Sequence, residues 1–233
     1  MGHARRAAAA AVAAVLLTGC AAAPPAPTGP LDGLEAEWFY VPGPYQATQR
    51  VDGELRTATV EPERGGDWSV RFGDPATTIV VTRLDDGRPA TARIADAGRN
   101  ETAVFDPPLA LVPASGSEPP ARETTEIALY KGLWPDGNLS TRRPTRRGTA
   151  ERRFLGAEDL TWTLDGRSRP AQRLKHELVL ELGPATIRQV YESVAVEGMG
   201  IVEETLEERV IVLGVRIGGR TERVEVIDFV DAR

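Results

Sequence analysis

The chain has 233 residues, a formal net charge of −6 and only 6% aromatic residues among its 41% hydrophobic ones. The acidic balance argues against non-specific nucleic-acid binding and against a body that lies flat on anionic lipid, because both need a positive surface. A single cysteine excludes a disulfide framework, so the fold must be stabilised by an aliphatic core of its own.

The first nineteen residues have the three zones of a secretory signal peptide. Arg5 and Arg6 form a positive n-region, residues 7–17 form an apolar run, and the small residues Thr18 and Gly19 follow. As a helix the apolar run would rise only about 16 Å, which is too short for a hydrocarbon core of about 30 Å. The segment 1–19 is therefore predicted to be a cleaved export signal and not a transmembrane helix.

The end of this signal, Leu17-Thr18-Gly19-Cys20, resembles the lipobox of bacterial lipoproteins. The resemblance implies that Cys20 receives a diacylglyceryl group and becomes the lipidated N-terminus after cleavage. Each buried CH₂ contributes about 0.8 kcal/mol, so the two or three chains of this class would hold a protein stably on a membrane. The alternative is an ordinary secretory signal with an incidental cysteine.

The residues after Cys20 indicate where the protein is sorted and form a spacer. Ala21 is not aspartate, which for the lipoprotein class in didermal bacteria implies the outer membrane, facing the periplasm. Residues 20–30 form a tether with four prolines, which favour an extended spacer of at most about 30 Å. We therefore expect a lipid-anchored cell-envelope protein whose partners are the membrane, through Cys20, and an envelope protein or lipid ligand, but no nucleic acid.

Residues 31–233 are predicted to form one all-β domain. Trp68, Val70 and Phe72 alternate with polar residues, as expected of a half-buried strand. Thr77–Leu84 is rich in β-branched residues and ends at the hairpin signal 85–87 (DDG). Further along, the pair Pro107-Pro108 is expected to separate two short strands.

Residues 113–122 (PASGSEPPAR) are the clearest internal break of this domain. They either divide two β domains or form a long surface loop of one sheet. The loop is favoured, because each half alone would be small for a core without disulfides or metals.

The C-terminal part has the clearest β pattern. Leu174–Leu182 alternates apolar and charged residues and ends at the turn Gly183-Pro184, although its residues also have helical propensity. Arg209–Ile217 is the most apolar run, and turn signals recur about every ten residues. The predicted fold is therefore mainly β with few helices: a curved antiparallel sheet, as a half-barrel or as a sandwich of short strands.

Residues 154–230 also resemble a group of bacterial envelope proteins. In that group a late strand carries a Gly-x-Gly-aliphatic-Val-acidic element, which residues 198–203 (GMGIVE) match. The fold of these proteins is similar to the lipoprotein-carrier half-barrel, so the resemblance implies a curved antiparallel sheet. It transfers no site residue.

Catalytic and metal chemistry find little support in the sequence. His176 is the only histidine after residue 3, and no cysteine follows Cys20, so no zinc site or Cys/His dyad can form. No nucleophile elbow, phosphate loop or dinucleotide fingerprint occurs. We predict no catalytic residue, no metal and no cofactor, and a partly buried or edge position for His176.

Three arginine pairs lie within twelve residues of this otherwise acidic body. They are candidates for an anionic-ligand patch that binds phosphate, lipid headgroups or an acidic partner. The alternative is a polar edge whose charges pair with acidic strands. The residues are Arg142, Arg143, Arg146, Arg147, Arg152 and Arg153.

Three functional hypotheses remain open. The leading one is a non-enzymatic, membrane-anchored envelope lipoprotein whose β domain binds or scaffolds a partner. The second is a carrier or sensor of a hydrophobic ligand, with apolar walls from Leu174–Leu182 and Arg209–Ile217. The third is a hydrolase that uses two carboxylates, although Glu203 and Glu204 are adjacent and should face opposite sides of a strand.

Overall fold

The computed structural model describes residues 31, 34–39, 44–62, 67–72, 77–134, 139, 141–164 and 166–231. The predicted signal peptide, Cys20 and the tether lie outside these residues. No helix within the described ranges is long and apolar enough to cross a bilayer.

Antiparallel strands make up most of the described chain, and a single 3₁₀ turn, Ala36–Trp38, precedes them. The mainly β prediction is confirmed. Several strands are much longer than the short ones expected, the longest having 19 residues. The strands are β1 (Tyr45–Val51), β2 (Glu54–Pro62), β3 (Trp68–Phe72), β4 (Thr77–Arg83), β5 (Pro89–Asp96), β6 (Glu101–Ala110), β7 (Ala121–Lys131), β8 (Arg146–Leu164), β9 (Arg167–Leu182), β10 (Ala185–Val196), β11 (Gly200–Val212) and β12 (Val215–Asp231).

The strands pair in chain order and form a closed barrel. Closure is made by β1 and β12, with Tyr45 opposite Asp231 and Val51 opposite Val224. Pairing the first strand with the last satisfies backbone groups that an open sheet would leave at its edges. The predicted curved antiparallel sheet therefore continues into a complete barrel.

The two expected interruptions of the sheet take specific forms. Residues 113–120 lie in the connection between β6 and β7, which are neighbours in the same barrel, and residues 121 and 122 begin β7. Pro107-Pro108 lies inside β6, where the prediction of two separate strands is wrong. The register of β6 against β5 shifts at this point, so the prolines occupy an irregular stretch where no ladder N–H is needed.

Successive antiparallel strands place alternate connections at opposite ends of the barrel. We call the end that holds the connections after β1, β5, β7, β9 and β11 the odd end, and the opposite one the even end. At the odd end the turns at Gly183-Pro184 and Leu213-Gly214 touch, since the Leu213 N–H donates to the Pro184 carbonyl oxygen at 3.0 Å.

The turn between β11 and β12 has an unusual residue at its first position. Leu213 and Gly214 both have positive φ, 50° and 81°, as a two-residue type I′ hairpin requires. Glycine or asparagine is the usual residue there, and an ordinary L-residue pays about 1 kcal/mol for the left-handed conformation. Leu213 is also 82% exposed, so the folded barrel in water gains little from its side chain.

Buried side chains in the described chain form three apolar clusters. One contains Phe105 and Ile127, and a second joins Phe154 and Leu174 to Leu31, so residues ahead of β1 pack onto the sheet. The third contains Trp162 of β8 with small residues of β1 and β2 and with Val226 of β12. Each Å² of apolar surface that these clusters remove from water contributes about 25 cal/mol to stability. This burial stabilises the closed sheet.

Strands β8 and β9 form the longest ladder, and one glycine permits their close approach. A Cβ at position 148 would lie 1.7 Å from the carbonyl oxygen of Glu181. Gly148 is therefore required by contact with the neighbouring backbone and not by its φ angle.

Candidate functional site

Polar side chains lie in a row, buried or half-buried, on the face of the sheet that carries Phe154. Across β8, β9 and β10 the register sets Phe154 opposite His176, and His176 opposite Tyr191. Neighbouring rungs add other polar groups on the same face. We call this set the polar row; its members are Arg152, His176, Gln189, Tyr191, Ser193, Glu204 and Glu208.

Hydrogen bonds connect most of the polar row. The Tyr191 hydroxyl donates to Gln189 Oε1 at 2.9 Å, and Gln189 Nε2 donates to Glu208 Oε2 at 2.6 Å. Ser193 Oγ donates to Glu204 Oε2 at 2.9 Å. Partnering of this kind offsets the desolvation of polar groups in a core.

His176 is held as a neutral ring in this row. Its imidazole stacks on Tyr191 with centroids 4.8 Å apart and lies 6.2 Å from the Phe154 ring. Burial, together with the positive charge of Arg152, lowers the pKa of His176 well below its ordinary value. Its Nδ1 has no hydrogen-bond partner among the described residues.

Arg152 is the buried cation of the row. Its Nη1 donates to the carbonyl oxygen of Ala110 at 2.6 Å, and burial lowers its pKa to about 10, so it stays charged at neutral pH. Burial raises the pKa of Glu204, an effect opposed by the Ser193 hydrogen bond and by Arg152. Burial also raises the pKa of Tyr191 above its usual value, so its hydroxyl stays neutral.

This arrangement brings together residues that a hydrolytic triad would use, without the contacts of one. Ser193 and His176 are diagonal neighbours on the same face, but the serine hydroxyl donates to a carboxylate and not to the imidazole. Both residues are buried, with 1% and 7% exposure. The sequence did not indicate the row, because its members lie on four strands and only the register aligns them.

The six predicted patch arginines fall into two groups. Arg152 is buried, and Arg153 forms ion pairs with Glu151 and Glu177. The other four are exposed at the odd end, and none of them forms an ion pair within the described part of the chain. We call these four the arginine cluster: Arg142, Arg143, Arg146 and Arg147.

The arginine cluster is ordered in part by an aromatic ring. The guanidinium carbon of Arg142 lies 4.1 Å from the centroid of the Trp134 ring, a cation–π contact. The Trp134 indole N–H donates to the Lys131 carbonyl oxygen at 3.0 Å, and its backbone N–H donates to the Thr102 hydroxyl at 2.9 Å. These bonds fix the tryptophan, so Arg142 is presented in a defined direction.

A cleft of about 230 Å³ collects carboxylates, as the hydrolase hypothesis would require. Its lining includes Glu192, Glu203 and Glu204, each already engaged by another side chain. Arg173 lies 3.2 Å from Glu192, Trp162 donates to Glu203 at 2.9 Å, and Ser193 holds Glu204. Glu203 and Glu204 face opposite sides of β11, as their alternation predicted.

A second cleft, of about 450 Å³, opens at the even end. Leu164, Met199 and Phe229 supply its apolar lining, and Arg167 and Asp228 are among its charged residues. The leucines of β9 that a hydrophobic carrier would use as cavity walls are instead packed in the core clusters. No three His, Cys, Asp or Glu side chains of the described ranges are placed to hold a metal ion.

Comparisons with known proteins give a distant structural similarity. No protein-family model matches the chain, and neither does any curated protein. Among solved structures, the chain is similar to the hypothetical lipoprotein YmcC from Escherichia coli (K12). The sequences are 12% identical, with 81% of this chain and 87% of that one covered and a TM-score of 0.41. A similarity of this size carries no functional information.

Proposed function

We propose that this chain is a membrane-anchored lipoprotein of the bacterial cell envelope whose β-barrel binds an anionic partner through the arginine cluster. The observation that carries the proposal is the exposure of four arginines without acidic partners at one end of the described barrel. Many other arginines are paired, as Arg153, Arg188 and Arg209 are, although the exposed Arg122, Arg167 and Arg169 at the even end also form no ion pair within the described chain. Unpaired guanidinium groups are suited to bidentate contacts with phosphate or carboxylate.

The polar row favours binding over catalysis as the role of the barrel. Its hydroxyl, amide and carboxylate groups already bond one another, and its histidine is neutral and stacked. A general acid or base needs to reach a substrate proton within hydrogen-bonding distance. Groups that already bond one another support the fold and its register, so the exposed arginines are the better candidates for function.

The membrane anchor is proposed from the motif Leu17-Thr18-Gly19-Cys20. Lipid on Cys20, followed by the proline-containing tether of residues 20–30, would hold the barrel close to the membrane without inserting a helix. Growth with a radioactive fatty acid tests this part. We expect the wild type to be labelled and to sediment with membranes, and Cys20→Ser to be unlabelled. An unlabelled wild-type protein would refute the anchor.

Retention on an immobilised polyanion tests the arginine part. Residues 20–233 with Cys20→Ala supply an unacylated protein that keeps every described residue. Changing the arginine cluster to glutamine should lower the salt concentration needed for elution. The matched control changes four exposed arginines of the even end to glutamine, with the same loss of charge: Arg83, Arg122, Arg167 and Arg169. Equal effects of the two variants would contradict a specific patch.

A further inference from the structure

The odd end of the barrel collects the exposed large apolar side chains of the described chain. Three different connections supply them: Leu55 follows the β1–β2 turn, Leu133 follows β7, and the others lie at the tip of the β11–β12 hairpin. Their exposed fractions are 64% for Leu55, 44% for Leu133, 82% for Leu213, 64% for Val215 and 65% for Ile217. Scattered apolar residues are ordinary on protein surfaces, but three of these five lie together at the tip of one hairpin, and their concentration there indicates a contact surface.

The β11–β12 hairpin extends beyond the β1–β2 hairpin at this end, whereas on its other side Leu213 contacts the β9–β10 turn. β12 begins at Val215, whereas its pairing with β1 begins only at Val224. Nine residues of strand span about 30 Å, so the hairpin tip projects well past the β1–β2 turn. Every residue from 213 to 221 is exposed. The tip therefore presents apolar side chains to whatever lies beyond the odd end.

Leu213 is poorly suited to its position unless the tip is covered. It combines left-handed backbone geometry with the largest exposure among the apolar residues named above. Asparagine or glycine would fit the turn better and would avoid an exposed isobutyl group. Contact with an apolar medium would compensate for both disadvantages.

The same end carries the arginine cluster, together with Arg216 on the hairpin and Trp134 beside Arg142. Exposed aliphatic residues, arginines and a tryptophan with its N–H bonded are the combination found at membrane interfaces. Arginines there contact lipid phosphates, and the remaining acidic surface of the barrel would be repelled by an anionic membrane. The arginines and the exposed apolar side chains thus both favour an orientation in which the odd end faces the membrane.

We propose that the odd end docks onto the anionic lipid surface of the membrane that holds Cys20, with the hairpin tip entering the interface. This rests on the proposed function for the arginine cluster and names its partner. Leu31 packs beside Leu174, which lies nine residues from the Gly183 turn, about 30 Å along β9. A tether of about the same maximal reach lets the lipid and the odd end occupy one membrane.

Vesicle co-sedimentation of the unacylated chain, residues 20–233 with Cys20→Ala, tests the proposal. The probes are vesicles of phosphatidylcholine alone and vesicles in which phosphatidylglycerol replaces roughly a third of it. We expect binding to the anionic vesicles to be about tenfold tighter or more, and to weaken at high salt. The arginine-cluster variant should lose this preference, and the even-end control variant should keep it.

Leu213→Asn separates membrane contact from folding. Asparagine suits the left-handed position, so this variant should unfold at the same or a higher temperature than the wild type. Its affinity for anionic vesicles should fall about threefold, and adding Val215→Thr and Ile217→Thr should bring the loss to about tenfold or more. Unchanged vesicle binding by the triple variant would overturn insertion of the tip.

The outcomes distinguish this proposal from the one on which it rests. Retention on the polyanion that depends on the arginine cluster, without binding to anionic vesicles, would leave the proposed function standing and overturn membrane docking. The partner would then be an acidic protein or polymer. Failure of both assays would overturn both proposals.

Discussion

Lowering the pH below 7 should destabilise the barrel through one residue, His176. Burial and the nearby charge of Arg152 hold its folded-state pKa well below 6.5. The unfolded chain therefore binds a proton that the folded chain rejects, and stability must rise with pH across this range. The full contribution is present above the unfolded-state pKa and is lost as the pH falls below it.

The size of this loss of stability follows from the binding of one proton to His176 in the unfolded chain. Each pH unit below about 6.5 costs up to about 1.4 kcal/mol, so the loss approaches 2 kcal/mol at pH 5 while the folded imidazole stays neutral. The raised pKa of Glu204 acts in the opposite direction, since its stability contribution increases as the pH falls. The pH dependence due to His176 must therefore be measured as a difference between two proteins that share the same carboxylates.

Replacing His176 with phenylalanine provides that comparison. The substituted ring can keep the stacking on Tyr191 and the contact with Phe154, and no other histidine follows residue 3. Urea unfolding of both proteins at pH 7 and pH 5 should show the wild type losing about 2 kcal/mol more than His176→Phe. Parallel losses in the two proteins would show that the histidine is not held neutral by burial.

Two further pairs of substitutions test the sheet itself. Gly148→Ala forces a Cβ into the Glu181 carbonyl and should lower the free energy of unfolding by about 2 kcal/mol or more. Gly218→Ala is the control: it has open space around it and should cost less than about 1 kcal/mol. Similar losses of stability for both variants in denaturant unfolding would contradict the close approach of β8 and β9. Trp162→Phe removes the 2.9 Å bond to Glu203 and should cost about 1.5 to 3 kcal/mol, and a double-mutant cycle with Glu203→Ala, which removes the acceptor, should give coupling clearly different from zero.

The strands were predictable because the alternation that marks them is a local pattern. Closure of the barrel was not predictable, because it pairs strands that lie far apart in the chain. Alternation in Leu174–Leu182 and the Gly183-Pro184 turn gave β9 and its hairpin, and the same alternation placed His176 on the apolar side. The pairing of β1 with β12 joins residues about 180 positions apart, for which a single sequence holds no periodic signal.

The candidate site also has a part that the sequence shows and a part that depends on the fold. Arginine pairs are visible in the sequence, but whether each guanidinium is exposed, paired or buried depends on register and strand direction. Arg152 and Arg153 are adjacent and still end in a buried position and in ion pairs, respectively. Leu133 and Leu213 lie at the same end of the barrel, although 80 residues separate them in the chain.

The join between the first and last strands also constrains how the protein can be made. A chain that emerges N-terminus first, from a ribosome or an export channel, presents β1 long before its partner β12 exists. Arg50 cannot meet Glu225, 175 residues later, until synthesis or translocation is nearly complete. The barrel must therefore close late and slowly, and until then β1 exposes an unpaired edge that other chains can join.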